Sequence, residues 1–137
     1  MVLSVEEKKS KNNLLLEMEF NAVEVNASGP LFFVLNRSSD QNAEKFVPTY
    51  KSRTLASAGG VVMWDPVEML AGTICRDDHD RPIRMEVFES RKSGNHRFLG
   101  SAQFTLFELL ERRKTRFDIV TKDRRTCAVE VIKCHSV

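Results

Sequence analysis

The sequence predicts an all-β fold, an eight-stranded antiparallel β-sandwich with one short helix near residues 106–113. Three observations carry that prediction. Apolar residues alternate with polar ones in several short runs, the period of two that a half-buried strand requires. Turn-forming clusters separate the runs at the short intervals typical of sandwiches and barrels. One stretch abandons that period, spacing Leu106, Phe107, Leu109 and Leu110 among charged residues as an amphipathic helix does.

In the first strand Leu14, Leu16, Met18 and Phe20 share one face, while Glu17, Glu19 and Asn21 share the other. Val23 and Val25 fall on the opposite parity, which predicts a bulge or twist near Asn21 before the turn at residues 26–30. Leu31 to Leu35 is a continuous apolar run, a second strand buried on both sides. Asn36 to Glu44 has hairpin-loop chemistry. A third strand is predicted over Lys45 to Leu55, where Pro48 favours an edge or a bulge.

Val61 to Leu70 reads as an irregular fourth strand anchored in the core by Trp64, and the charged stretch Gly72 to Arg81 as a solvated loop. Ile83, Met85 and Val87 give a fifth strand. Phe98, Ala102 and Phe104 are expected on one side of a sixth. Phe117 to Val120 and Thr126 to Lys133 complete the eight.

The 137 residues fit one domain. The expected division is a polar leader over 1–13, the sandwich over 14–134 and a tail over 135–137. Hydrophobic residues at 42% and charged residues at 29% exclude global disorder. The imbalance of 21 basic over 19 acidic residues is too small to point to nucleic acid, and none is expected as a partner. No window approaches the roughly 18 uninterrupted apolar residues of a transmembrane segment. Cys75, Cys127 and Cys134 form neither an even disulfide set nor a CxxC pair and are expected as buried, reduced thiols. The expected location is therefore the cytoplasm, with peripheral membrane attachment left open.

The chain carries no Ser or Cys nucleophile motif, no HExxH and no phosphate-cradling glycine loop, so neither an enzyme nor a cofactor is expected. Asp77, Asp78, His79 and Asp80 lack the spacing of a preorganised metal site.

Two stretches resemble C2 domains, especially the second C2 domain of copines. Asp80-Arg-Pro-Ile-Arg-Met-Glu-Val-Phe-Glu89 resembles the strand entering that family's third calcium loop. Ser93-Gly-Asn-His-Arg-Phe-Leu-Gly-Ser-Ala-Gln-Phe-Thr-Leu-Phe-Glu-Leu109 resembles its Gly-x-His-Asp-x-Ile-Gly pattern and following helix. With weaker echoes from Leu14 to Pro30 and from Lys51 to Trp64, the resemblance spans roughly residues 14 to 134.

The resemblance implies a loop apex that binds calcium through several carboxylates, because a hard dication needs six to eight oxygen ligands. Here those positions depart from the pattern. Gly29 stands for a first-loop carboxylate, Phe-Asp-x-Asp is Phe88-Glu89-Ser90-Arg91, and a later acidic position is Arg97. Gly29, Glu89, Arg91 and Arg97 are thus degenerate calcium positions, where cations would repel a dication, and no metal is expected.

Two basic groups remain as candidate sites. The tip residues Arg91, Lys92, His96 and Arg97 suit anionic lipid headgroups, at about 1 kcal/mol for each Lys or Arg near such a surface. Lys45, Lys51 and Arg53 share a parity with Val47 and Thr49 and resemble the basic strand patch that some C2 domains use for phosphoinositides. An ordinary solvated hairpin and a plain strand face are the respective alternatives. The expected function is a calcium-independent C2-like binding module for peripheral recruitment to an anionic phospholipid surface. A protein-protein interaction or scaffold domain with little lipid affinity is the alternative.

Overall fold

The computed structural model describes residues 14–39, 45–76, 78–122 and 124–137. The expected leader, residues 40–44 and Asp77 lie outside the described residues. In chain order the elements are β1 Leu15–Val23, β2 Leu31–Ser38, β3 Phe46–Lys51, β4 Val62–Met63, β5 Val67–Leu70, α1 Ala71–Cys75, β6 Ile83–Glu89, β7 Arg97–Phe104, α2 Leu106–Leu110, β8 Arg116–Thr121 and β9 Arg124–Ser136.

All strand pairs are antiparallel, and the order is β3-β2-β6-β7-β8-β9-β1-β4, with β5 also paired to β1. β4 and β5 occupy successive stretches of one edge, interrupted at Asp65-Pro66, so the nine strands fill the eight positions the sequence predicts. The sheet curls into two layers at the β7–β8 seam, where Ser101 and Val120 form the one paired position. Gly100 allows that close approach. Its φ is +139°, and a Cβ there would lie 2.6 Å from the Val120 carbonyl carbon.

Between the layers, Leu16, Met18 and Phe20 of β1 meet Phe33 and Leu35 of β2 and Met85 and Val87 of β6. Removing such apolar surface from water is the main force holding the layers together. Phe20 meets Phe33 edge-on at 5.7 Å, and Trp64 meets the same ring at 4.7 Å while its Nε1–H donates to the Leu31 carbonyl. Trp64 is the core anchor the sequence predicts. All three cysteines are buried, and burial pushes the Cys127 and Cys134 thiols up to about 11.

Several elements differ from the sequence reading. β2 continues through Asn36, Arg37 and Ser38, because the buried Asn36 amide donates to the Arg84 carbonyl and the Glu86 carboxylate and so satisfies its polar group inside a strand. The stretch 72–81, read as a solvated loop, begins inside a helix, α1, whose buried face is Ala71, Ile74 and Cys75. β1 has no bulge near Asn21. The irregularity lies opposite, at Ile132 of β9, which Glu19↔Lys133 and Phe20↔Val131 leave without a partner. Glu24, at φ +54°, begins the turn instead.

The predicted helix is shorter than expected, spanning Leu106–Leu110. A reciprocal capping box between Thr105 and Glu108 starts it, and Arg112 at φ +57° follows it. His135 and Ser136, read as tail, belong to β9 and pair with Glu17 and Leu16.

Candidate functional site at the loop apex

Strand directions bring four chain segments to one end of the sandwich. The 24–30 loop links β1 to β2, residues 90–96 link β6 to β7, and the β8–β9 turn lies beside the end of β1, where Val23 pairs with Ala128. The 52–61 segment joins them through pairing of Leu55 with Leu31 and through the Val25 N–H, which donates to the Gly60 carbonyl.

Glu89 continues the inward parity of Ile83, Met85 and Val87, so its carboxylate turns into the mouth of the sandwich and only 6% of the residue is exposed. Two groups meet it there. The Gly29 N–H donates to its Oε2 at 2.7 Å, and Arg97 Nη1 stands 3.9 Å from its Oε1. A side chain at position 29 would press on this contact, since a Cβ would sit 3.0 Å from the Glu89 Cγ. Glycine, carboxylate and guanidinium therefore form a latch between the first and third loops.

Beyond the latch the tip is open to solvent. Arg91, Lys92, His96 and Arg97 are all exposed. His96 has a structural task as well: its Nδ1 accepts from the Arg91 N–H at 3.0 Å, and its ring packs edge-on against Phe32 at 5.1 Å. Arg91 and Lys92 extend from the loop that His96 braces.

A bulge at Leu99 reverses the expected side of Phe98. Val87 pairs with Gly100 and Phe88 with Phe98, so Phe98 faces outward and packs at a tilt against Phe88, which in turn stacks with Phe32. The result is an aromatic row on the outer face of the β2–β6–β7 layer.

Sequence reasoning missed the third basic contribution. Arg124 and Arg125 open β9, and with Arg97 they line a cleft of about 60 Å³ that also touches Asn26, Ala27, Leu99 and Thr126. Thr126 fixes this arrangement by donating its hydroxyl to the Leu99 carbonyl at 2.6 Å. Arg125 is held by Asp118 and Glu24, and Glu24 also binds Arg116. The basic turn run Lys122-Asp-Arg-Arg125 was the available signal, but only the pairing of β9 beside β1 shows where it goes.

The second candidate group is not brought together. A bulge at Thr49, between Leu35↔Tyr50 and Asn36↔Pro48, puts Lys51 on the opposite face from Val47 and hence from the parity of Lys45. Arg53 binds Asp65 through two hydrogen bonds of 2.6 and 3.0 Å, and the Lys51 ammonium lies 4.6 Å from the centre of the Phe32 ring. β3 is the sheet edge that Pro48 predicts.

Among solved structures, the chain is similar to the second C2 domain, domain B, of BON1, with a TM-score of 0.74 and 15% identity over 94% of this chain and 96% of that one. It is also similar to the C2 domain designated A of plant extended synaptotagmin 1, with a TM-score of 0.61 and 13% identity over 92% and 97% of the two chains. The chain has a C2 fold. A third likeness, to human GIVD cytosolic phospholipase A2, has a TM-score of 0.56 and 12% identity over 90% of this chain but 15% of that one. No protein-family model matches the sequence.

The C2 fold raises the question of calcium, and the residues at the apex do not fit it. Glu89 is enclosed by an N–H donor and a guanidinium, Gly29 offers no side-chain oxygen, and Arg91 and Arg97 add positive charge. Among the described residues no three His, Cys, Asp or Glu side chains converge as ligands. No helix among them is long and apolar enough to cross a membrane.

Proposed function

We propose that this C2-fold chain is a calcium-independent binding module that docks its loop apex on an anionic phospholipid surface. C2 domains as a class bind membranes or proteins. The observation that carries the lipid reading is the Gly29–Glu89–Arg97 latch, which engages the buried Glu89 carboxylate while Arg91 and Lys92 stay exposed beside it. Here the cations are side chains, so attraction to anionic headgroups is direct and screened by salt.

Flotation with phosphatidylserine and phosphatidylcholine vesicles over a salt series tests the proposal. Binding to the anionic vesicles alone, falling as salt rises, is expected; no binding at low salt would overturn it. A second reading, protein docking, is favoured by one observation: Phe98, 37% exposed, and half-buried Phe88 offer aromatic surface beside the apex. Salt-insensitive retention of a protein partner by a chain that ignores vesicles would select it. Neither reading uses a cofactor or a catalytic group.

A further inference from the structure

We propose that the cleft between Arg97, Arg124 and Arg125 binds a terminal phosphate group, so that the apex selects phosphomonoester headgroups from among anionic lipids. The proposal rests on the membrane-facing reading of the apex and adds a specificity that charge alone does not supply.

Three features of the cleft support it. First, its guanidinium donors are unequally committed. Arg125 is fixed by Asp118 and Glu24. Arg97 stands 3.9 Å from Glu89, an ion pair too long to be a hydrogen bond. Arg124 is exposed, and its guanidinium makes no hydrogen bond or ion pair with the described residues. One wall is therefore anchored, while two planar forks retain their donors for a ligand. Arginine forks match the oxygens of a phosphate and bind two at once, which an ammonium does not do.

Second, the cleft of about 60 Å³ has room for a phosphate group. A phosphodiester, esterified on both sides, has only two free oxygens. A monoester presents three oxygens and a second ionisable charge from one side. Buried Leu99 and half-buried Ala27 form an apolar part of the lining, and exclusion of water there strengthens charged hydrogen bonds.

Third, the surrounding carboxylates keep the site from acting as a simple charge sink. Glu24 and Asp118 balance Arg125, and Glu89 faces Arg97. Selection must then come from donor geometry, and it should persist when the surface charge of competing vesicles is equal.

The test compares phosphatidylcholine vesicles containing phosphatidic acid with vesicles containing phosphatidylserine, matched in surface charge. The unsubstituted chain should prefer phosphatidic acid by about tenfold, the effect of one or two charge-assisted hydrogen bonds. Arg124→Lys keeps the charge and loses the fork, so the ratio should fall towards one. Arg91→Gln with Lys92→Gln should weaken both vesicles in parallel and leave the ratio standing.

Equal affinity for the two vesicles overturns the cleft proposal and leaves the charge-driven membrane reading intact. Binding to neither vesicle removes that reading, and titration with inorganic phosphate then decides the cleft on its own. Amide NMR shifts at Asn26, Arg97 and Arg124 that Arg124→Lys weakens would assign the cleft to soluble phosphates, whereas no shift there would overturn it. Near-UV circular dichroism of each variant separates loss of the site from loss of the fold.

Discussion

Arg97 and Arg53 each lie near a carboxylate at the end of a strand, but the two regions around them differ in what they leave for a ligand. At the β3 edge, Arg53 is tied by both its Nε and Nη2 to Asp65, Lys51 lies over an aromatic ring, and the Thr49 bulge turns Lys45 to the other face. At the apex, Arg97 is near a buried carboxylate without a hydrogen bond to it, and Arg91, Lys92 and Arg124 point to solvent. The comparison teaches that the number of cations in a stretch of sequence does not define a basic site. What matters is whether their donors are already committed and whether the backbone keeps them on one side.

The sharpest way to break the apex is through the seam beneath it. Gly100→Ala places a Cβ 2.6 Å from the Val120 carbonyl carbon at φ +139°. It should lower the unfolding free energy by about 2–4 kcal/mol in urea denaturation, because backbone there has no room to yield. An unchanged midpoint would show that β7 and β8 can separate without cost. Next in size, Arg91→Gln with Lys92→Gln should weaken binding to phosphatidylserine vesicles on the order of tenfold or more in flotation at low salt.

Glu89→Ala should have a smaller effect of another kind. It leaves the Gly29 N–H without its partner and should cost about 1–2 kcal/mol of stability by thermal or chemical denaturation. Because it also removes a negative charge from the apex, affinity for anionic vesicles should not fall. The smallest effect belongs to the other region: Lys45→Gln with Lys51→Gln should change vesicle affinity by no more than about twofold, since separated, exposed charges are largely screened. A loss as large as that of the tip variant would erase the distinction between the two regions.

Much of the fold was legible in the sequence because burial imposes a period. Leu16, Met18 and Phe20 in β1 and Ile83, Met85 and Val87 in β6 are buried as their alternation predicts. What escaped were irregularities set by pairing partners. The bulges at Ile132, Leu99 and Thr49 are register shifts between strands distant in sequence, and each one moved an expectation: the twist in β1, the side of Phe98 and the face of Lys45. α1 was hidden because charged residues follow its short apolar face.

The apex was legible in part. Gly29, Glu89, Arg91 and Arg97 stand out as departures from the calcium pattern of the C2 domains that the sequence resembles, and the first and third loops do meet. Their conversion into a latch was not legible, because it depends on a 2.7 Å contact between residues 60 positions apart. Arg124 and Arg125 were missed for the same reason, as only the sheet order brings the last hairpin beside the third loop.

We propose that at this apex protein cations and a backbone donor take the place of calcium. Co-sedimentation with phosphatidylserine vesicles at low salt, performed once with calcium and once with a chelator, tests it most directly. The same bound fraction in both is predicted; binding that appears only with calcium would contradict the account.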